Sequence, residues 1–105
     1  MAERVSGEDF KTEVLDAEKP VLVEFYSDSC IPCKKMNPIL ADIEEEYQDR
    51  LNVRKVNVNF DGDITKEYEV KSSPTMILFK AGVETERIVG AVKKTELTNM
   101  VEKYL

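Results

Sequence analysis

A chain of 105 residues, 42% hydrophobic and 34% charged, is long enough for a single domain, 1–105, with its own core, and too apolar to be disordered. Its formal net charge of −6 argues against nucleic acid as a partner and leaves no basic patch for a membrane surface. No apolar run approaches transmembrane length, and Met1-Ala2-Glu3-Arg4-Val5-Ser6 lacks the apolar stretch of a signal peptide, so the expected setting is cytoplasmic.

In chain order, Ser6-Gly7-Glu8-Asp9-Phe10 reads as a helix start, with Ser6 as N-cap and Asp9 in the reciprocal position three residues on. This helix would bury Phe10 and Val14, with Leu15 a further candidate, and end before Pro20. Val21-Leu22-Val23-Glu24-Phe25-Tyr26 is apolar on both faces except at Glu24, the pattern of a central strand covered on both sides. Glu24 shares a face with Leu22 and Tyr26. A carboxylate there is costly unless paired or protonated. It is either a buried acid or a side chain that reaches solvent at the strand end.

The only two cysteines follow at once, in Ser29-Cys30-Ile31-Pro32-Cys33. A Cys-x-x-Cys between a strand and a helix reads as a thiol–disulfide redox site. The first thiol sits where unpaired helix N–H groups and the positive end of the helix dipole converge, which favours thiolate. The second, nearly one turn on, can attack a mixed disulfide on the first and close a ring. Pro32 suits the first turn because its missing N–H would be unpaired anyway. Inert core thiols are the plain alternative. Zinc needs about four ligands, and with no histidine and no further cysteine it could be held only between molecules. In a cytoplasmic setting such a pair cycles rather than serving as a permanent staple.

From Lys34 to about Tyr47 the apolar residues Met36, Ile39, Leu40, Ile43 and Tyr47 recur at helical spacing, with Asp42, Glu44, Glu45 and Glu46 on a solvated side. Pro38 inside this helix removes one backbone bond and should kink it. Residues 51–58 read as a second interior strand. Lys55 shares a face with Leu51 and Val53, so it either points inward, towards Glu24, or snorkels to the edge. Asp61 is placed to cap a short helix covering Ile64, Tyr68 and Val70. Residues 71–75 break regular structure. Met76-Ile77-Leu78-Phe79 is a buried strand, Ala81-Gly82 a turn, and Glu84 to Val89 a charged edge strand. A last helix, Lys94 to Leu105, carries Leu97, Met100, Val101, Tyr104 and Leu105 as its apolar stripe. The order βαβαβαββα gives an α/β fold: a mixed sheet, mostly parallel with a C-terminal antiparallel hairpin, flanked by helices on both faces. Its site belongs at strand carboxyl ends, and Cys30 follows one.

Val21-Leu22-Val23-Glu24-Phe25-Tyr26, Ser29-Cys30-Ile31-Pro32-Cys33-Lys34, Pro38, Pro74-Thr75 and Gly90, at this spacing, make the chain resemble the thioredoxin family along essentially its full length. Three departures stand out: Glu24 for the family's buried Asp, Ser29 for Trp and Ile31 for Gly. The resemblance implies the thioredoxin fold and a monomer that reduces disulfides in target proteins and is re-reduced by a thioredoxin reductase-type donor. It implies no bound cofactor beyond its own redox disulfide. By the same resemblance Cys30 attacks, Cys33 resolves, and Glu24 with Lys55 handles the resolving thiol's proton. Ser73, Pro74 and Gly90 border the substrate groove, Ile31 adds apolar contact, and the Ser73–Pro74 bond is cis. Related oxidases and isomerases usually carry a His between the cysteines; Ile31-Pro32 offers no such charge and favours a reductant. A binding subunit with incidental cysteines is the rival of another class.

Overall fold

The computed structural model describes residues 2–105. β2 (Val21–Tyr26) forms the centre of a five-stranded sheet of order β1-β3-β2-β4-β5. Its neighbours explain its unbroken apolar run. β3 (Asn52–Asn57) lies parallel on one side and β4 (Thr75–Lys80) antiparallel on the other, so no edge is left to solvent. The register sets Glu24 opposite Lys55 on β3 and Met76 on β4. The flanking strands are β1 (Glu3–Arg4), parallel to β3, and β5 (Val83–Val89), antiparallel to β4. The pairings are thus evenly divided, because β4 runs against β2 as well as against β5.

Helices cover both faces. Met36, Leu40 and Ile43 of α1 (Ile31–Glu46) and Leu97, Met100 and Val101 of α3 (Lys94–Tyr104) pack on Leu22, Val53, Met76 and Leu78. On the other face Val23, Phe25, Val56, Ile77 and Phe79 meet Phe10 and Val14. Ile64 of α2 (Gly62–Glu67) and Tyr68 beyond it pack against that cluster. These two sets of strand residues alternate along β2, β3 and β4, as period-two geometry requires.

Four details differ from the sequence reading. β1, counted in the element order but given no residues there, carries no pattern, since both its residues are exposed; backbone pairing alone makes it a strand, continued by Val5 N–H donating to Lys55 O at 2.8 Å. The first helix begins later than Ser6. Ser6 Oγ does accept from Asp9 N–H at 3.3 Å, but residues 7–9 form turns, and the helical segment Lys11–Leu15 is a π-helical turn in which Asp16 N–H reaches Lys11 O at 2.8 Å. Asp61 stands at the N-cap of α2 without capping it by its side chain; Arg4 Nη2 and Gly7 N–H take the carboxylate instead, at 3.0 and 3.1 Å. Leu105 falls just past α3 and is 36% exposed, so the apolar stripe ends at Tyr104, half-buried against the core. The hairpin turn requires its glycine. Ala81 and Gly82 have φ of 53° and 79°, the sense that suits strand twist, and a Cβ at Gly82 would come within 2.9 Å of the Leu15 carbonyl oxygen.

Candidate active site

β2 delivers the chain to the carboxyl edge of the sheet, and Ser27-Asp28-Ser29 turn it into α1. Cys30 is the N-cap, with extended backbone (φ −85°, ψ 106°). Its carbonyl accepts the N–H of Lys34 at 3.3 Å, and its Sγ accepts the N–H of Cys33 at 3.1 Å. A sulfur in this place receives a backbone donor and faces the positive end of a 16-residue helix, both of which stabilise negative charge on it. Pro32 lies in the first turn, where its missing N–H costs no bond.

Cys30 and Cys33 are joined, S–S 2.15 Å and Cα–Cα 5.2 Å. The two sulfurs are not equivalent. Cys33 is buried, at 3% exposure, whereas Cys30 is half-buried and open to approach. Ser29 and Pro32 are exposed beside it, and Ile31 stands out at 67%. The turn before Ser29 is tied to the neighbouring strand end: buried Asn57 donates to Asp28 Oδ2 at 3.5 Å and accepts the N–H groups of Asn59 and Phe60 at 2.9 and 3.3 Å.

Glu24 is fully buried on the face of β2 covered by α1, the helix that carries Cys33. Neither carboxyl oxygen has a hydrogen-bond partner. Lys55, its register partner, brings Nζ to 3.7 Å from Oε1, an ion pair beyond hydrogen-bond reach. Burial pushes the carboxyl up to about 7, and the Lys55 charge, pulling the other way, offsets only part of that. Lys55 therefore points inward rather than to the edge. It also donates to Asn37 Oδ1 at 3.0 Å and sits 4.4 Å from the centre of the Tyr26 ring.

Pro74 is buried, follows a cis peptide bond from half-buried Ser73, and accepts the N–H of Gly90 at 2.8 Å. Gly90 has φ of 92° and open space where a Cβ would be, so the backbone there is accessible. The structure thus joins the two cysteines, pairs Glu24 with Lys55, and bonds Pro74 to Gly90. Asn37 and the Tyr26 ring are contacts the sequence reading missed. A signal for Asn37 was available: it lies four residues after Cys33, on the same helix face. Among the described residues no group of three or more metal-ligating side chains comes together, and no helix is long and apolar enough to cross a membrane.

Comparison with known proteins agrees with this geometry. The family model described as Thioredoxin matches residues 2–103. Thioredoxin 1 of Nostoc sp. is 38% identical over 104 residues, covering 99% of this chain and 97% of that protein. Thioredoxin of Acidithiobacillus ferridurans is 43% identical over 101 residues, covering 96% and 94%. A chloroplastic M-type thioredoxin of Chlamydomonas reinhardtii is 40% identical over 101 residues, covering 96% of this chain and 72% of its own.

Proposed function

This chain belongs to the thioredoxin family and is a thiol–disulfide oxidoreductase exchanging through Cys30 and Cys33, and from that premise we propose that it reduces disulfides in target proteins, with Cys30 as nucleophile and Cys33 as resolving thiol. The carrying observation is the Cys30 sulfur at the N-cap of α1, accepting the Cys33 N–H at 3.1 Å, while Cys33 is enclosed. The stabilised and approachable sulfur attacks first.

In the reduced protein the Cys30 thiolate attacks one sulfur of a target disulfide. A Cys30–target bond forms, and the target's second sulfur leaves as thiolate and takes a proton. Cys33 then gives its proton to the Glu24 carboxylate and attacks Cys30 Sγ. The Cys30–Cys33 bond forms, the bond to the target breaks, and the departing thiolate is protonated. The target gains two electrons from the cysteine pair and two protons, one originating on Cys33 and one from water in place of the proton that Cys30 had already released on forming its thiolate. Glu24, held near neutrality by burial, can both accept and return a proton at working pH. Lys55 stabilises its charged form.

Ser73, Pro74 and Gly90 would border the groove for the substrate backbone, with Ile31 as apolar contact. The protein acts as a monomer and single domain, carries electrons in its own disulfide without a bound cofactor, and is re-reduced by a thioredoxin reductase-type donor. A cytoplasmic setting, where thiols are kept reduced, fits a cycling pair.

Insulin reduction with dithiothreitol tests the activity. Wild type should accelerate precipitation, and Cys30→Ser should abolish that. Cys33→Ser should accumulate mixed disulfides with targets, because attack persists and resolution is lost. If Cys30→Ser accumulates them instead, the two roles are reversed. If neither variant changes any property of the protein, the cysteines are incidental to a binding function.

A further inference from the structure

The Lys55 ammonium is held from three sides, and its hydrogen bond goes to the weakest acceptor by charge. Nζ donates to the neutral Asn37 amide oxygen at 3.0 Å. The Glu24 carboxyl, with both oxygens buried and unpartnered, stays at 3.7 Å. The Tyr26 ring faces the same ammonium at 4.4 Å. Asn37 projects from α1 one turn beyond Cys33, so the helix that carries the resolving thiol also carries the group that holds the lysine. Asn37 is itself exposed, so replacing it empties no core. With Ala2, Leu40, Ala41 and Lys55 it lines a cavity of about 30 Å³, enough for roughly one water.

We propose that Asn37 is a positioning residue for the Glu24–Lys55 pair, holding the ammonium back by one hydrogen bond and so setting how strongly that charge acts on the Glu24 carboxyl. Only its consequence for turnover rests on the reading of Glu24 as proton acceptor; the positioning stands on contacts alone.

The groups that face the pair are few. β2 contributes Glu24 and Tyr26, and β3 contributes Lys55. β1 sets Arg4 beside Lys55 in register, but its guanidinium is engaged by Asp61 at 3.0 Å. β4 sets uncharged Met76 opposite Glu24. α1 brings exposed Asn37 to Lys55 and carries Cys33, which is joined to Cys30 and does not titrate in this state. Without the amide, the ammonium, at the end of a side chain 20% exposed and held over the Tyr26 ring, has the carboxylate as its nearest strong acceptor. A movement of roughly 1 Å makes a charge-assisted hydrogen bond.

The test is a pH titration of the Glu24 carboxyl carbon by NMR in the oxidised full chain, for wild type, Asn37→Ala, Asn37→Asp and Asn37→Gln. The alanine variant should titrate about one pH unit lower, because Lys55 closes on Glu24. The aspartate variant should titrate higher by a similar amount, because a second carboxylate draws the ammonium away and adds like charge. The glutamine variant keeps the amide and should return close to wild type, which a merely structural role would not produce. Four coincident titrations, or an upward move in Asn37→Ala, overturn the proposal. The rate at which a Cys30 mixed disulfide resolves should follow the same midpoints. If the Glu24 titration moves and the resolution profile does not, the positioning stands and Glu24 is not the proton acceptor.

Discussion

A carboxyl group enclosed on every side, with neither oxygen hydrogen-bonded, holds its proton to about pH 7 because burial penalises the charge more than Lys55 relieves it. The consequence for stability has a definite sign. The folded pKa lies above the ordinary 4.5, so between the two values the native state binds more protons than the unfolded chain, and stability falls as pH rises. Relative to Glu24→Gln, wild type should hold its own below about pH 4.5 and lose ground until about pH 7, by roughly 3 kcal/mol in all. Urea unfolding of both proteins across pH measures this difference. The same substitution should slow resolution of the mixed disulfide while leaving the first attack by Cys30 intact. If the two stability curves run parallel throughout, Glu24 is solvated in solution and the proton-transfer role does not hold.

At the scale of the element, α1 unites the redox pair with the proposed recognition surface. Its N-cap holds Cys30, the proposed nucleophile, its first turn exposes Ile31, and Ser29 stands just ahead of it. The family's Trp and Gly at these two positions would make a broader, flatter contact. Exchange with a reductase adapted to Trp-Cys-Gly-Pro-Cys should therefore be poor, by about tenfold or more in kcat/KM, the scale of one lost aromatic anchor. Ser29→Trp combined with Ile31→Gly should restore part of it. The glycine should also lower thermal stability, by about 0.5–1 kcal/mol, because it loosens the helix start. Steady-state kinetics and a melting curve separate the two effects. Equal kcat/KM for parent and double variant would show that the partner reads other residues.

For the molecule as a whole, the sheet separates a redox face from a purely structural one. Phe10, Tyr68 and Phe79 pack as a ring cluster on the face opposite Glu24, with centroids 5.2–5.6 Å apart. Phe79→Ala should cost about 3–5 kcal/mol, transfer and cavity terms together. It should leave the Glu24 titration where it is, since no residue of that cluster touches the carboxyl or Lys55. Calorimetry and the NMR titration check the two halves. A moved titration would mean that the two faces are coupled through β2.

β2, β4, α1, α3 and the redox motif were legible in the sequence because each rests on a local pattern: unbroken apolar runs for β2 and β4, a period of 3.6 for α1 and α3, and the three-residue step between Cys30 and Cys33. That Glu24 was a costly acid was legible too, since its neighbours in the chain are apolar. What occupies the space around it was not. Lys55 faces Glu24 only because β3 lies beside β2 in a particular register, and Asn37 reaches Lys55 only because α1 crosses above that pair. The same holds for β1, a strand by pairing alone, and for Asp61, whose carboxylate goes to Arg4 and Gly7 more than fifty residues away instead of to its own helix. Periodicity is a property of neighbours along the chain. The partner of a buried charge is decided by sheet order, register and helix placement, and these exist only once the chain has folded.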